Sequence, residues 1–392
     1  RNIARYDISP VGYGNSPGLI SAPTAVLSLY SVHMKSGSTT DDVNRRIADA
    51  QRIVNNIATL PPSRHYILGG DFNITTSSEN AYATLVGPDP FNPTGPLFDP
   101  IRTPGSWQNN SAFRFVHTQT PAGAGGMDDR FDQLLASPNL LDADGRNNAA
   151  PATGFDYFGN PGVPYSTTTW NDPNHSYRAW GNDGTSCCSS NLNTTSNSFV
   201  GNVIAQALVT QAGTTGHLPV FMDLRIPPRI TAATVINFGT VQQNSAAAQN
   251  LSVANNGDVA AFGAATIAAL RYSMAAPSGF TAPGGNFTDA AGGGANVHVI
   301  SMDTSTPGVK AGTLVISSNA GDFPTRTVQL VGEVVAGACP ADLNQDGQVD
   351  FNDYLEFLNR YNLNDPSVDF NGDGFVDFND YLEFLNIYNT PC

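Results

Sequence analysis

Residues 342–353 read DLNQDGQVDFND and residues 369–380 read DFNGDGFVDFND, and each is followed by YLEFLN. The copies are offset by 27 residues. Asp342, Asn344, Asp346, Asp350 and Asp353 fall at positions 1, 3, 5, 9 and 12 of the first loop, and Asp369, Asn371, Asp373, Asp377 and Asp380 match them in the second. Gly347 and Gly374 stand at position 6, where such a loop turns sharply. Gln348 and Phe375 at position 7 offer backbone carbonyls. Four aspartates in one short loop repel one another unless a cation gathers them. A hard cation takes about six to eight oxygen ligands, and this donor set is all oxygen, so each loop is expected to hold one Ca2+.

Position 12 carries Asp where an ordinary EF-hand carries Glu, and no helix signal precedes either loop. That combination is similar to a dockerin, a paired calcium-loop–helix module that plugs into a cohesin. After the loops, Tyr354, Leu355, Phe357, Leu358 and Tyr361, with Tyr381, Leu382, Phe384, Leu385 and Tyr388, supply apolar helix faces. Such a face could also dock on this chain's own β-sandwich or on another copy's, giving a homopolymer. Cys339 and Cys392 bracket the segment. A disulfide clasping it is the preferred reading, with free buried thiols as the alternative. "CPADLNQDG" and "TPC" resemble the cysteine-flanked dockerins of planctomycete-type secreted proteins. The expected module is 337–392, a small α unit.

The chain has 392 residues, enough for two or three domains. Its formal charge is −15, and residues 339–392 hold eleven Asp/Glu against one Arg. That balance argues against capture of nucleic acid by overall charge. Only 13% of residues are charged, and Ser, Thr, Asn and Gly take their place, as suits a secreted, β-rich protein with many turns. An extracellular or cell-surface location is expected. No apolar run approaches the roughly 18 residues needed to span a bilayer. The chain opens on Arg1 with no signal-peptide pattern, so its start is expected to have been removed or the sequence to be a fragment.

Residues 1–228 alternate strand and helix signals. The run 25–32 reads as a strand. Thr39 or Thr40 caps a helix that opens on Asp41 and Asp42, with Val43, Ile47, Val54 and Ile57 on one face. The run 65–68 is the next strand, and 131–137 and 220–224 are two more. This is a layered α/β pattern. "RIPPRI", 225–230, reads as a linker. Residues 229–336 show no helix signal, only short alternating runs at 249–253, 297–301, 312–316 and 327–331 with turns between them. They read as an all-β sandwich. "INFGTVQQ" and "STPGVKAGTLVISSN" resemble the Ig-like modules of bacterial surface proteins. His298, within a strand pattern, is expected to be a packing residue.

Four pieces of the α/β part lie at strand ends: "SVHMKSG" with His33 and Lys35, "GGDFN" with Asp71 and Asn73, "DDRFDQLLAS" with Asp132, and "GHLPVFMDL" with His217. In this order they resemble the endonuclease/exonuclease/phosphatase superfamily, whose fold is deoxyribonuclease-I-like. The match covers 1–228 and only the later part of that domain. The resemblance implies hydrolysis of a phosphate ester assisted by Mg2+. Asp71 and Asn73 would hold water and phosphate, Asp132 would orient His217, and His33 would contact the phosphate from the other side. The chain departs from the family in two ways. Residues 1–30 contain Asp7 but no Glu to match the family's metal-binding Glu, and Gly216 stands where the family has Asp. The Mg2+ site is therefore expected to be incomplete, with Asp128 and Asp129 as nearby candidates to compensate. Asn182 and Asp183 could shape the rim of the site, with Trp180 beneath. Adjacent Cys187 and Cys188 are not expected to bond each other. Two functions follow: a secreted phosphoesterase or nuclease tethered by a dockerin, or a non-catalytic scaffold or filament subunit on a degenerate hydrolase fold.

Overall fold

The computed structural model describes residues 2–13, 25–88, 94–141, 155–337 and 339–390. The chain is multi-domain and rich in β-sheet. Its first part is built on a four-stranded sheet ordered β1-β2-β3-β4, from β1 (Ala4–Ile8), β2 (Leu27–His33), β3 (His65–Asp71) and β4 (Asp132–Ala136). β2 and β3 run parallel, joined through α1 (Thr40–Ile57), while β1 and β4 flank them antiparallel. Period-two alternation places Tyr30, Val32 and Leu68 on one face, against α1, α2 (Asn80–Val86) and Trp107. Leu27 and Ile67 point to the other face. Short strands cover that face: β5 (Asp156–Tyr157) pairs with β8 (Leu224–Arg225), and β6 (Arg178–Ala179) with β7 (Val220–Phe221). α3 (Gly201–Ala212) lies before β7.

Thr39 caps α1, and Asp42 returns a bond to its backbone in a capping box. The buried stripe is turned from the expected one: Arg46, Ala50, Ile53 and Ile57 lie inward, while Val43, Ile47 and Val54 are half-buried beside them. Arg46 can be buried because Glu79 takes it bidentately at 2.6 and 3.0 Å, and the Lys35 and Gly37 carbonyls accept from it. β1 is a strand the sequence pattern does not announce. Its Asp7 pairs with Ser28 across the register and meets Arg5 and Arg64, at the end of the sheet away from His33.

Residues 230–335 form two facing sheets. One is ordered β10-β17-β16-β12-β14, from β10 (Val235–Gln242), β12 (Leu270–Ala275), β14 (Phe287–Asp289), β16 (Gly308–Ser318) and β17 (Thr325–Val335). The other is ordered β13-β15-β11-β9, from β9 (Ile230–Ala232), β11 (Ala248–Asn255), β13 (Phe280–Thr281) and β15 (Asn296–Met302). Their inward residues, among them Leu251, Leu270, Ile300, Leu314 and Leu330, make one core. A single helical turn, α4 (Val259–Phe262), corrects the expectation of no helix here; Asp258 caps it by accepting from Ala261 N. His298 is buried, bonded to the Tyr272 hydroxyl at 2.7 Å and packed on Phe287, in keeping with a packing role.

In the acidic tail, α5 (Phe351–Asn362) and α6 (Phe378–Tyr388) repeat one another. Asp350 and Asp377 cap them in capping boxes closed by Asp353 and Asp380. Phe357 and Phe384 stack face to face at 4.1 Å in a core with Ala341, Leu343 and Val368. Among the described residues, no helix is long and apolar enough to cross a membrane.

Candidate functional site

The sheet register lines the site up. His33 on β2 is directly opposite Asp71 on β3, and Asp71 is opposite Asp132 on β4, so three adjacent strands present one row. His217, 85 residues from Asp132 in sequence, completes it: its Nδ1 lies 2.7 Å from Asp132 Oδ2. His33 Nε2 lies 3.3 Å from Asp71 Oδ2. The side chains of Asp71, Asp132 and His217 are mostly buried, whereas that of His33 is 58% exposed. The two glycines before Asp71 permit this layout. Gly70 has φ +139°, and a Cβ there would run into the Val32 backbone, so only glycine lets β3 lie this close to β2. Asn73 takes φ 51°, which folds its side chain back: its N and Nδ2 donate to Asp71 at 2.8 and 2.9 Å, and Nδ2 also donates to the Met34 carbonyl.

The strongest influence raising the His217 proton affinity is its bond to Asp132; burial opposes it, and the charges of Asp132, Asp71 and Asp129 add to it. Burial, then the Asp132 charge, pushes the Asp71 carboxyl up, while His217, the Asn73 amide and His33 pull it down. The row therefore couples two carboxylates to two imidazoles. Sequence reasoning missed Thr118. Its hydroxyl donates to Asp132 Oδ2 at 2.7 Å, and its carbonyl accepts from Leu218 N, so one residue steadies both halves of the His217–Asp132 pair. A lone threonine in a loop-rich stretch carries no sequence signal for that role.

Other expected residues have structural duties. Lys35 Nζ is 2.8 Å from Asp42 Oδ1, so its charge serves the start of α1. Asn182 donates to the Arg114 and His117 carbonyls, and Asp183 accepts from Thr185 and Ser198. Trp180 packs edge-on against Phe199 and Phe221. Asp129 is buried beside His217, its Oδ1 has no partner among the described residues, and burial and then the Asp128 charge push its carboxyl up to about 7. Cys187 and Cys188 correct the expectation made for them: they are joined in a disulfide across a cis peptide bond, which brings together the Cβ atoms that a trans bond would splay. Cys339 is also disulfide-bonded; its expected partner, Cys392, lies outside the described residues.

Asp71 and Asp132 are the two carboxylates of the row. Both Asp71 oxygens accept from Asn73, and Asp132 Oδ2 takes Thr118 and His217; their remaining lone pairs offer a Mg2+ ion two carboxylate ligands at most. Gly216 has no room for the missing carboxylate, because an added Cβ would press into the Ala212 backbone. The acidic loops differ. Asp342 accepts from the amides of Asp346 and Gly347, and Asp369 from those of Gly372 and Gly374. Asp353 accepts from Asn344 N and Asp350 N, and Asp380 from Asn371 N and Asp377 N, tying the start of each loop to its end. Burial pushes the Asp353 and Asp380 carboxyls up, but the backbone amides outweigh it and hold both below the usual range. Carboxylate oxygens keep lone pairs beyond these bonds, so the oxygen-only donor set fits a hard cation. The carboxylates are spread more widely than the one tight group of potential ligands among the described residues, His117 with Cys187 and Cys188.

No family model matches the chain, and no curated protein matches it. Among solved structures it is similar to a PapD-like domain of human CEP192, at 12% identity and TM-score 0.23, over 28% of this chain and 88% of that one. It is similar to a Porphyromonas gingivalis protein of unknown function at 15% identity and TM-score 0.23, over 30% of this chain and 59% of that one. It is also similar to SSP-19, an MSP-domain protein of Caenorhabditis elegans, at 11% identity and TM-score 0.18, over 24% and 94%.

Proposed function

We propose that the chain is a secreted or surface-associated protein in which a deoxyribonuclease-I-like phosphoesterase domain (1–228) is joined by an Ig-like sandwich (229–336) to a dockerin-type calcium module (337–392). The observation that carries this reading is the row His33, Asp71, Asp132 and His217, set across three neighbouring strands and closed by a 2.7 Å imidazole–carboxylate bond. Asp132 holds the Nδ1 proton of His217, so Nε2 is the nitrogen that meets a phosphoryl or leaving-group oxygen. With its proton affinity raised, His217 keeps its second proton to higher pH than a free imidazole, and that proton can stabilise an oxyanion or pass to a leaving group. Asp71 accepts a proton from, or orients, the attacking water, and Asn73 keeps its carboxylate in place. His33, the most exposed member, meets the ester from the solvent side. The Mg2+ implied by the family resemblance would have only Asp71 and Asp132 as carboxylate ligands from the row, with water and the phosphate ester completing its shell, and would neutralise charge on the phosphoryl oxygens.

In the tail, Asp342, Asn344, Asp346, Gln348, Asp350 and Asp353, and likewise Asp369, Asn371, Asp373, Phe375, Asp377 and Asp380, would hold one Ca2+ each. The ion would supply the positive charge that draws each loop shut. The exposed Phe351, Leu355, Phe378 and Leu382 on the paired helices suit a cohesin-like partner or another copy of the chain. A second reading, a non-catalytic scaffold or filament subunit, is favoured by one observation: position 216 cannot take a carboxylate, because an added Cβ would press into the Ala212 backbone. The test is hydrolysis of bis-p-nitrophenyl phosphate and of DNA, with EDTA and with added Mg2+. Turnover that disappears in His217→Gln and Asp71→Ala supports the enzyme. No turnover under any condition leaves the scaffold.

A further inference from the structure

His117, Cys187 and Cys188 bring an imidazole nitrogen and two sulfurs within 4.8 Å of one another. The imidazole is fully buried, with Nε2 2.9 Å from the Trp107 carbonyl and Nδ1 3.1 Å from the Met127 carbonyl. Nδ1 also faces the disulfide, 3.8 Å from Cys187 Sγ. The loop is tied to the imidazole from two sides: Asn182 donates to the His117 carbonyl, and Met127 N donates to the Ser190 carbonyl.

We propose that His117, Cys187 and Cys188 form a site for a thiophilic divalent cation of the Zn2+ class, which the Cys187–Cys188 disulfide closes and reduction opens. In the disulfide neither sulfur is a thiolate, so the site has one ligand, Nδ1. A dithiol reductant delivers two electrons and two protons. The S–S bond breaks, two thiols form, and the reductant becomes its own disulfide. The cation then displaces both thiol protons, making two metal–sulfur bonds and releasing two H+, while Nδ1 donates its lone pair. Two thiolates and one imidazole leave a fourth tetrahedral position for water. The site is independent of phosphate-ester chemistry, although His117 adjoins Thr118, which supports Asp132.

The experiment titrates the full chain with Cd2+, oxidised and after phosphine reduction, and follows thiolate-to-cadmium absorption in the ultraviolet. The expected result is one Cd2+ bound with that absorption in the reduced protein and none in the oxidised protein. His117→Gln should weaken binding by about 10-fold or more. The paired variant Cys187→Ser/Cys188→Ser should lose the band, and circular dichroism would report whether it is folded. In the unmutated reduced chain, bound Cd2+ should protect Cys187 and Cys188 from alkylation as read by mass spectrometry, which needs no variant. Absence of the band after reduction, an unchanged band in the paired variant (placing the metal on Cys339 and Cys392), or alkylation unaffected by Cd2+ overturns the proposal.

Discussion

Replacing Phe384 by Ala should make folding of the tail depend on Ca2+. Five apolar side chains are fully or almost fully buried among the described residues of that module, and Phe357 and Phe384 are the two large ones, stacked with their planes 4° apart. A buried Phe→Ala change costs about 3–5 kcal/mol, to which a lost aromatic pair adds about 0.5–1.5 kcal/mol. A core of this size rarely supplies more than about 3–5 kcal/mol. The substitution therefore removes about all the stability the apolar core provides. A ligand at 100 times its dissociation constant returns about 2.7 kcal/mol per site, so two filled loops return about 5 kcal/mol. The assay is chymotrypsin digestion of the full chain in Ca2+ and in EGTA, with cleavage within 339–390 read by mass spectrometry. The variant should be cut at least about tenfold faster in EGTA, since about 1.4 kcal/mol already gives a factor of ten, and should be protected in Ca2+. Equal cleavage of the variant in both buffers would refute the cation argument. Equal cleavage of variant and parent in EGTA would refute the packing argument.

Three further outcomes are expected. Asp132→Asn removes the main influence raising the His217 proton affinity, so its imidazole resonances should titrate at lower pH than in the parent. Any phosphodiester turnover should fall by about 10²–10⁴. The folded His217 binds its proton more tightly than the unfolded chain does, so its stabilisation is full below the ordinary value of 6.5 and fades as pH rises through the folded one; thermal melts of the variant should lose that pH dependence. Asp129 likewise binds its proton more tightly when folded, so the parent loses stability as pH rises from 3.8 to about 7. Asp129→Asn should relieve that loss and melt higher than the parent at pH 8, by an amount on the order of 1–3 kcal/mol, the cost of an unpaired buried group. Gly70→Ala places a Cβ against the Val32 backbone at φ +139° and should cost at least about 1–3 kcal/mol in thermal or denaturant unfolding.

How much could be read ahead depended on how local the cause was. The cap expected at Thr39 or Thr40 falls on Thr39, and Asp42, three residues on, closes it into a capping box. The position-6 glycines of the acidic loops both take left-handed φ, +86° and +87°, as the turn requires. α3 gave no such sign: it has no side-chain cap and no acidic first turn, and it exposes Val203 and Ile204. β1 is short and exposes Tyr6 and Ile8, so it lacks the alternation of a half-buried strand. Arg46 shows how a polar residue can occupy a buried stripe when its partner, Glu79, comes from a distant helix start. The pairing of Asp132 with His217 spans 85 residues. Only the resemblance, and no spacing rule, pairs them, and no local pattern marks Thr118 as their support. Arg130 was unremarked within "DDRFD", yet it is fully buried, bonded to Asp99 at 2.8 and 3.0 Å, and lies over the Trp107 and Tyr177 rings.

The pairing of β10 with β17 bears on mechanics. These are nearly the first and last strands of the sandwich, and they run parallel, Val235 opposite Gln329 and Gln242 opposite Val335. Chain enters near one end of the pair and leaves at the other, some 8 residues or about 26 Å along, at about 3.3 Å per residue. Tension applied between the domain before it and the tail after it would load those hydrogen bonds together, in shear, instead of peeling them one at a time. The parallel pairing thus lets the sandwich resist a pull along the chain better than strands that open one bond at a time.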